Sequence, residues 1–172
     1  LDVIARHPER FEVFALSAST QVDLMLAQCQ QFQPRYAVMA SEAHGRLLAE
    51  KIKQNGLYAS VLWSKDAIEM VSSHDCVDVV MAAIVGAAGL APCLAAAEAG
   101  KRLLLANKEA LVVGGDVFLR AVRRGGATLL PIDSEHSAIF QSLPEDPATW
   151  AGRIDKIILT ASGLSLIHIS EP

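Results

Sequence analysis

The stretch CVDVVMAAIVGAAGLAPCLAAAEAGKRLLLANKEAL, residues 76–111, alternates two kinds of segment. CVDVVMAA (76–83) is a β-branched run of the kind found in strands buried on both faces. LAPCLAAAEAG (90–100) is helical and closes on Gly100, a natural C-terminal cap. RLLLA (102–106) is a second short apolar run. NKEALVVGGDVFLRAVRRGG (107–126) is a second helix, with Gly114-Gly115 as a weak point and Gly125-Gly126 as its stop. Strands and helices alternating at these lengths mean βαβ units and a mainly parallel sheet.

The same alternation extends in both directions. Upstream, FEVFALSA (11–18) reads as a strand and VDLMLAQCQQF as a helix. YAVMA (36–40) is a buried strand, and SEAHGRLLAEKIKQNG (41–56) is a helix capped by its serine and ended by Asn55-Gly56. SVLW (60–63) is a weaker strand, with a helix starting near Ser64. Downstream, ATLLPI (127–132) is a strand, SEHSAIFQSL (134–143) a helix, PEDPATWAGR a loop, and DKIILTASG (155–163) a returning strand. The expected class is α/β: a Rossmann-like, mainly parallel sheet with flanking helices. LDVIARHPERF at the start reads as the second half of an amphipathic helix, so the chain is expected to begin inside an element.

The composition narrows the partners. Of 172 residues, 52% are hydrophobic, enough for a sizeable core, and the formal net charge is −4 with no basic tract. That argues against nucleic acid, whose phosphates need clustered Lys and Arg, and leaves an anionic small molecule open. The longest apolar stretch, residues 80–92, is too short for a bilayer span of about 20 residues, so no membrane partner is expected. Cys29, Cys76 and Cys93 form no CxxC pair; each reads as a small buried or half-buried apolar residue in a reducing compartment.

In parallel sheets ligands sit beyond the carboxyl ends of the strands, so the strand-to-helix junctions carry the chemistry. SAST (17–20) stands at the second-strand position of a dinucleotide fold. It supplies no acid for a ribose hydroxyl, which leans towards NADP; an ordinary helix cap is the other reading. AAIVGAAG (82–89) packs small residues that let a flat ring or a pyrophosphate approach, or simply let helix and strand pack closely. LANKE (105–109) puts Lys108 in a helix's first turn, against the macrodipole, which makes sense beside an anion or as solvated charge. PIDSE (131–135) places Asp133 and Glu135 at i, i+2 across a turn. Two such carboxylates suit a hard divalent cation, and they equally suit helix capping. His136 is a third ligand or a packed or solvated histidine. TASG (160–163) offers Ser162 and backbone N–H groups to a phosphate oxygen, or is a plain turn.

Taken together and in order, MAAIVGAAGL, LLANKEALV, LLPIDSEHSAIFQSLP and ILTASG closely resemble the 1-deoxy-D-xylulose 5-phosphate reductoisomerase family, from Leu1 to about Gly163. The resemblance implies an NADPH-dependent enzyme of non-mevalonate isoprenoid biosynthesis that also needs Mg²⁺ or Mn²⁺. Its substrate is a small phosphorylated sugar. By this likeness Asp133 and Glu135 hold the metal and, with Lys108, form the catalytic group. Lys108, Ser134 and Glu135 contact the substrate, and Ser162 contacts its phosphate. Ser19, Thr20, Gln21, Asn107 and Glu109 face the cofactor. The family often has a Gly-Lys-Asn type turn where Ser19, Thr20 and Gln21 stand, so this chain departs from it by lacking the lysine.

The resemblance also implies an organisation. Residues 1–132 correspond to the NADPH-binding domain, without the Gly-rich phosphate loop, which is expected before Leu1. Residues 133–163 start the metal- and substrate-binding domain. LSLIHISEP (164–172) departs from the family pattern and is expected to be unrelated sequence, with no role for His168. The fragment as it stands is expected to be inactive. A homodimer is implied for the complete enzyme. The implied location is the bacterial cytoplasm, with a plastid left open. Two rivals stand beside this reading: another Rossmann NAD(P)-dependent oxidoreductase, which would not need the DSEHSAIF carboxylates, and a non-catalytic nucleotide-binding remnant.

Overall fold

The computed structural model describes residues 1–106 and 108–158, Lys108 by its backbone alone. The chain opens with a short helix α1 (Asp2–Arg6), then β1 (Ala15–Ala18), α2 (Val22–Phe32), β2 (Tyr36–Met39), α3 (Glu42–Gln54), β3 (Ser60–Leu62) and α4 (Ala67–Ser73). It continues with β4 (Val79–Ala82), a 3-10 turn at Ala87–Gly89, α5 (Leu90–Glu98), β5 (Arg102–Leu105), α6 (Lys108–Gly125), β6 (Thr128–Pro131) and α7 (Ser134–Ser142). A second 3-10 turn (Pro147–Thr149) leads into α8 (Trp150–Arg153).

Among the described residues all strand pairing is parallel, as the βαβ pattern requires. The described strands form two three-stranded sheets, in the orders β1-β2-β3 and β4-β5-β6, so among the described residues each strand pairs only with its neighbours in sequence. Where the two sheets meet, the edges of β1 and β4 have no strand partner among the described residues. A narrow cleft of about 60 Å³ joins the two halves, lined by Ser17 of β1, by Val80, Met81 and Ala82 of β4, and by Ile68 and Pro92. Helices α4 and α5 pack on each other and tie the halves together.

Side-chain alternation along the strands sorts the core. On β2, Ala37 and Met39 face Met25 and Cys29 of α2 and Leu48 and Ile52 of α3. Val38 between them points the other way, to Ala67 and Val71 of α4. The second half buries Leu103 and Leu105 of β5 with Cys93, Ala96 and Ala97 of α5 and Phe118 and Ala121 of α6. Complete burial of Leu103 and Phe118 contributes roughly 1.5–3 kcal/mol each. The opposite face of that sheet is a row in register, Met81–Leu104–Leu130, and Met81 is 56% exposed.

Glycine lets the second half close tightly. A Cβ at Gly125 would run into the carbonyl oxygens of Ala97 and Glu98, so the end of α6 lies directly on the end of α5. Gly115 takes φ 44°, ψ −129° inside α6 and kinks it at the Gly-Gly pair marked in the sequence. Gly100 ends the α5 turn at φ +72°.

Several elements differ from the sequence expectation. The strand expected at 11–18 is regular only from Ala15, and that at 76–83 only over Val79–Ala82. The helix expected near Ser64 starts at Ala67. PEDPATWAGR is not a plain loop. The Asp146 carboxylate accepts from the Ala148 N–H at 2.9 Å, Pro147 starts the turn, and Trp150 Nε1 donates to the Pro144 carbonyl at 2.8 Å. Residues 155–158 are not a strand, because no described strand pairs with them. The rest of that expected strand, including Ser162, and the 164–172 segment lie outside the described residues. Among the described residues no helix is long and apolar enough to cross a membrane.

Candidate functional site

Parallel pairing brings the carboxyl ends of β4, β5 and β6 to one edge. The β6 chain leaves the sheet with its last ladder bond made, the Ile132 N–H donating to the Leu105 carbonyl at 3.0 Å. The turn at Asp133 therefore lies beside the turn after β5, which opens α6 with Lys108 and the half-buried Glu109. The Ala106 N–H likewise donates to the Ala82 carbonyl at 3.0 Å, and links this edge to the small-residue junction after β4. Gly86 in that junction takes φ +77° with open space where a Cβ would be. A larger hollow of about 370 Å³ lies at the amino ends of β4–β6, lined by Asp75, Asp78, Lys101, Arg102 and Thr128. It is at the wrong end of the sheet for a strand-end site, and none of the expected residues lines it.

Asp133 is the N-cap of α7. Its Oδ1 accepts from the His136 backbone N–H at 3.0 Å, and its Oδ2 accepts from the His136 ring at Nδ1, 2.8 Å away. Partial burial pushes the Asp133 carboxyl up. The backbone bond, the ring bond and the charge of His136 together outweigh that and hold it below its ordinary value. The capping reading of Asp133 is therefore correct. It does not exclude metal binding, since each carboxylate oxygen keeps a further lone pair. Glu135 is exposed in the first turn of α7, where its Oε2 accepts from Ser134 Oγ at 3.0 Å. Two hard oxygen donors on one turn fit Mg²⁺ or Mn²⁺ in kind. Two such donors alone would fill only part of a coordination shell, and among the described residues no three His, Cys, Asp or Glu side chains gather as a metal site.

At the other edge, Ser19, Thr20 and Gln21 are exposed at the end of β1. Gln21 is the N-cap of α2 and makes no side-chain capping bond, so the ordinary-cap reading of this junction does not hold for Gln21. Asn107 lies outside the described residues, as does the Lys108 side chain. The residue whose part the sequence left undecided is His136. The usable signal was its spacing, three residues after a capping aspartate, where an N3 side chain can reach back to the cap.

Comparison with known proteins places this arrangement. The pattern described as 1-deoxy-D-xylulose 5-phosphate reductoisomerase matches residues 1–115, and that of the C-terminal domain of the same protein matches residues 129–171. The second match takes in most of the 164–172 segment. The 1-deoxy-D-xylulose 5-phosphate reductoisomerase of Nitrosospira multiformis is 54% identical over 165 residues, covering 95% of this chain and 42% of its own length. That of Paraburkholderia xenovorans is 55% identical over 163 residues, 95% of this chain and 40% of its own. This chain thus spans about two fifths of these relatives. A crystal structure of DOX-P reductoisomerase with NADPH, fosmidomycin and magnesium superposes at a TM-score of 0.81 and 44% identity, covering 87% of this chain and 36% of that one. The Zymomonas mobilis enzyme in complex with NADPH superposes at 0.78 and 39% identity, covering 84% and 37%. With a family pattern running through both the parallel half-sheets and the Asp133 turn, the chain belongs to the 1-deoxy-D-xylulose 5-phosphate reductoisomerase family.

Proposed function

We propose that this chain carries the NADPH-binding part and the beginning of the catalytic part of an enzyme converting 1-deoxy-D-xylulose 5-phosphate to 2-C-methyl-D-erythritol 4-phosphate. The observation that carries the reading is the Asp133–Ser134–Glu135 turn at the carboxyl end of β6, beside the Lys108–Glu109 turn. Likeness to a reductoisomerase solved with NADPH, fosmidomycin and magnesium supports it. Residues 1–132 serve the cofactor and residues 133–163 begin the part that holds metal and substrate. The complete enzyme works as a homodimer in the bacterial cytoplasm.

In this reading Asp133 and Glu135 hold a divalent cation, which when bound supplies Lewis acidity and a template for the hydroxyketone oxygens. NADPH supplies the hydride. The other roles belong to the chain itself. Lys108 sets a positive charge against oxyanion charge as it develops. Ser134 turns its hydroxyl from Glu135 to the substrate, and Ser162 binds the substrate phosphate. Ser19, Thr20 and Gln21 present neutral hydrogen-bonding groups to the 2′-phosphate side of the cofactor, while Asn107 and Glu109 face it from the β5 junction. Without the family's usual lysine at that turn, discrimination for NADPH over NADH is weaker than in relatives that carry it.

The test is NADPH oxidation by the full-length gene product, driven by 1-deoxy-D-xylulose 5-phosphate with Mg²⁺ or Mn²⁺ present. Asp133→Asn should remove most of the metal-dependent turnover. Full activity in that variant overturns the ligand assignment.

A further inference from the structure

His136 contacts both oxygens of Asp133, one through its backbone N–H at 3.0 Å and the other through its ring Nδ1 at 2.8 Å. The backbone bond alone would satisfy the helix cap and leave the carboxylate free to turn about its last bond. The ring contact removes that freedom. An ionised carboxylate only accepts, so Nδ1 is the nitrogen that carries the proton. With Nδ1 turned to Asp133, that nitrogen is not available as a ligand. Carboxylates that bind metals are commonly held by hydrogen bonds of this kind, and removing such a partner weakens metal affinity by about 10–100-fold.

We infer that His136 is a positioning residue whose Nδ1–H fixes the plane of the Asp133 carboxylate, so that Asp133 meets a divalent cation already oriented. This rests on the proposed role of Asp133 as a metal ligand. A purely structural explanation also exists within the chain. Ser41 caps α3, and its Oγ lies 2.7 Å from Nδ1 of His44, again three residues on. The experiment must therefore read metal affinity and helix stability separately.

Mn²⁺ affinity is measured on the full-length gene product, without substrate or cofactor, from the electron paramagnetic resonance signal of free Mn²⁺. Metal-free melting temperatures are taken on the same samples. His136→Ala should weaken Mn²⁺ binding about tenfold with little change in the metal-free melt, because the backbone cap survives. His136→Asn, whose amide N–H sits near the Nδ1 position, should recover most of the affinity. If His136→Ala binds Mn²⁺ as wild type does while Asp133→Asn loses binding, the positioning role fails and the ligand reading stands. If Asp133→Asn itself binds normally, the ligand reading fails and takes this inference with it. If His136→Ala also melts early, His136→Asn decides: recovered affinity supports the role, and a recovered melt alone overturns it.

Discussion

Asp133 stands at two kinds of boundary, the start of a helix and the edge of a proposed metal site. The substitution Asp133→Asn separates them, because asparagine caps a helix about as well as aspartate. Lost turnover in that variant would then reflect lost charge, with α7 still in place. Acid titration tests the environment from the other side. The folded carboxyl is held below its ordinary value by His136. The stabilisation it gives α7 is therefore complete above the unfolded value of about 3.9, and is lost only as the pH falls through the lower folded value. The His136 amide signal, followed by nuclear magnetic resonance, should move with a midpoint below about pH 3.9; a midpoint above it would contradict the contacts. The pair Asp133 and Glu135 was legible in the sequence because it is local, two acids across one turn. The pairing of Asp133 with the His136 ring was only hinted at by its spacing, because it also depends on the rotamers of both side chains.

Among the elements, α6 shows what Gly-Gly can do in a helix. Gly115 takes the bend, and Gly114 makes room: a Cβ there would lie 2.8 Å from Phe118 Cβ and 2.9 Å from Leu90 Cδ1. Gly114→Ala should cost about 1–3 kcal/mol through overpacking. Phe118→Ala, which empties the centre of the same cluster, should cost about 3–5 kcal/mol. Chemical denaturation of the full-length gene product measures both, and a neutral Gly114→Ala would mean that α6 slides freely over α5. The order and type of the elements from residue 15 to residue 142 could be read from periodicity and breakers. Two errors have physical causes. PEDPATWAGR was expected to be a loop, yet Asp146 followed by Pro147 is also a helix start. DKII has strand-forming residues, but a strand exists only with a partner, and no described strand pairs with it.

For the whole molecule, the important features are the edges at β1 and β4, unpaired among the described residues, and the row of exposed Met81 with half-buried Leu104 and Leu130. Unpaired strand edges beside uncovered apolar surface invite association. Residues 1–172 expressed alone should therefore be poorly soluble and melt broadly; a sharp, cooperative transition by calorimetry would contradict this. Parallel pairing was legible because it follows from alternation. The division into two half-sheets was not, because it is decided by which strands meet at the middle. The sequential pairing has a further consequence for how the protein is made. The first half-sheet ends at Leu62, and the next strand begins only at Val79. At synthesis rates of about 5–20 residues per second, β1–β3 have on the order of a second on the ribosome to assemble before β4 exists. The early half therefore has time to reach its own packing before the late half can interfere with it.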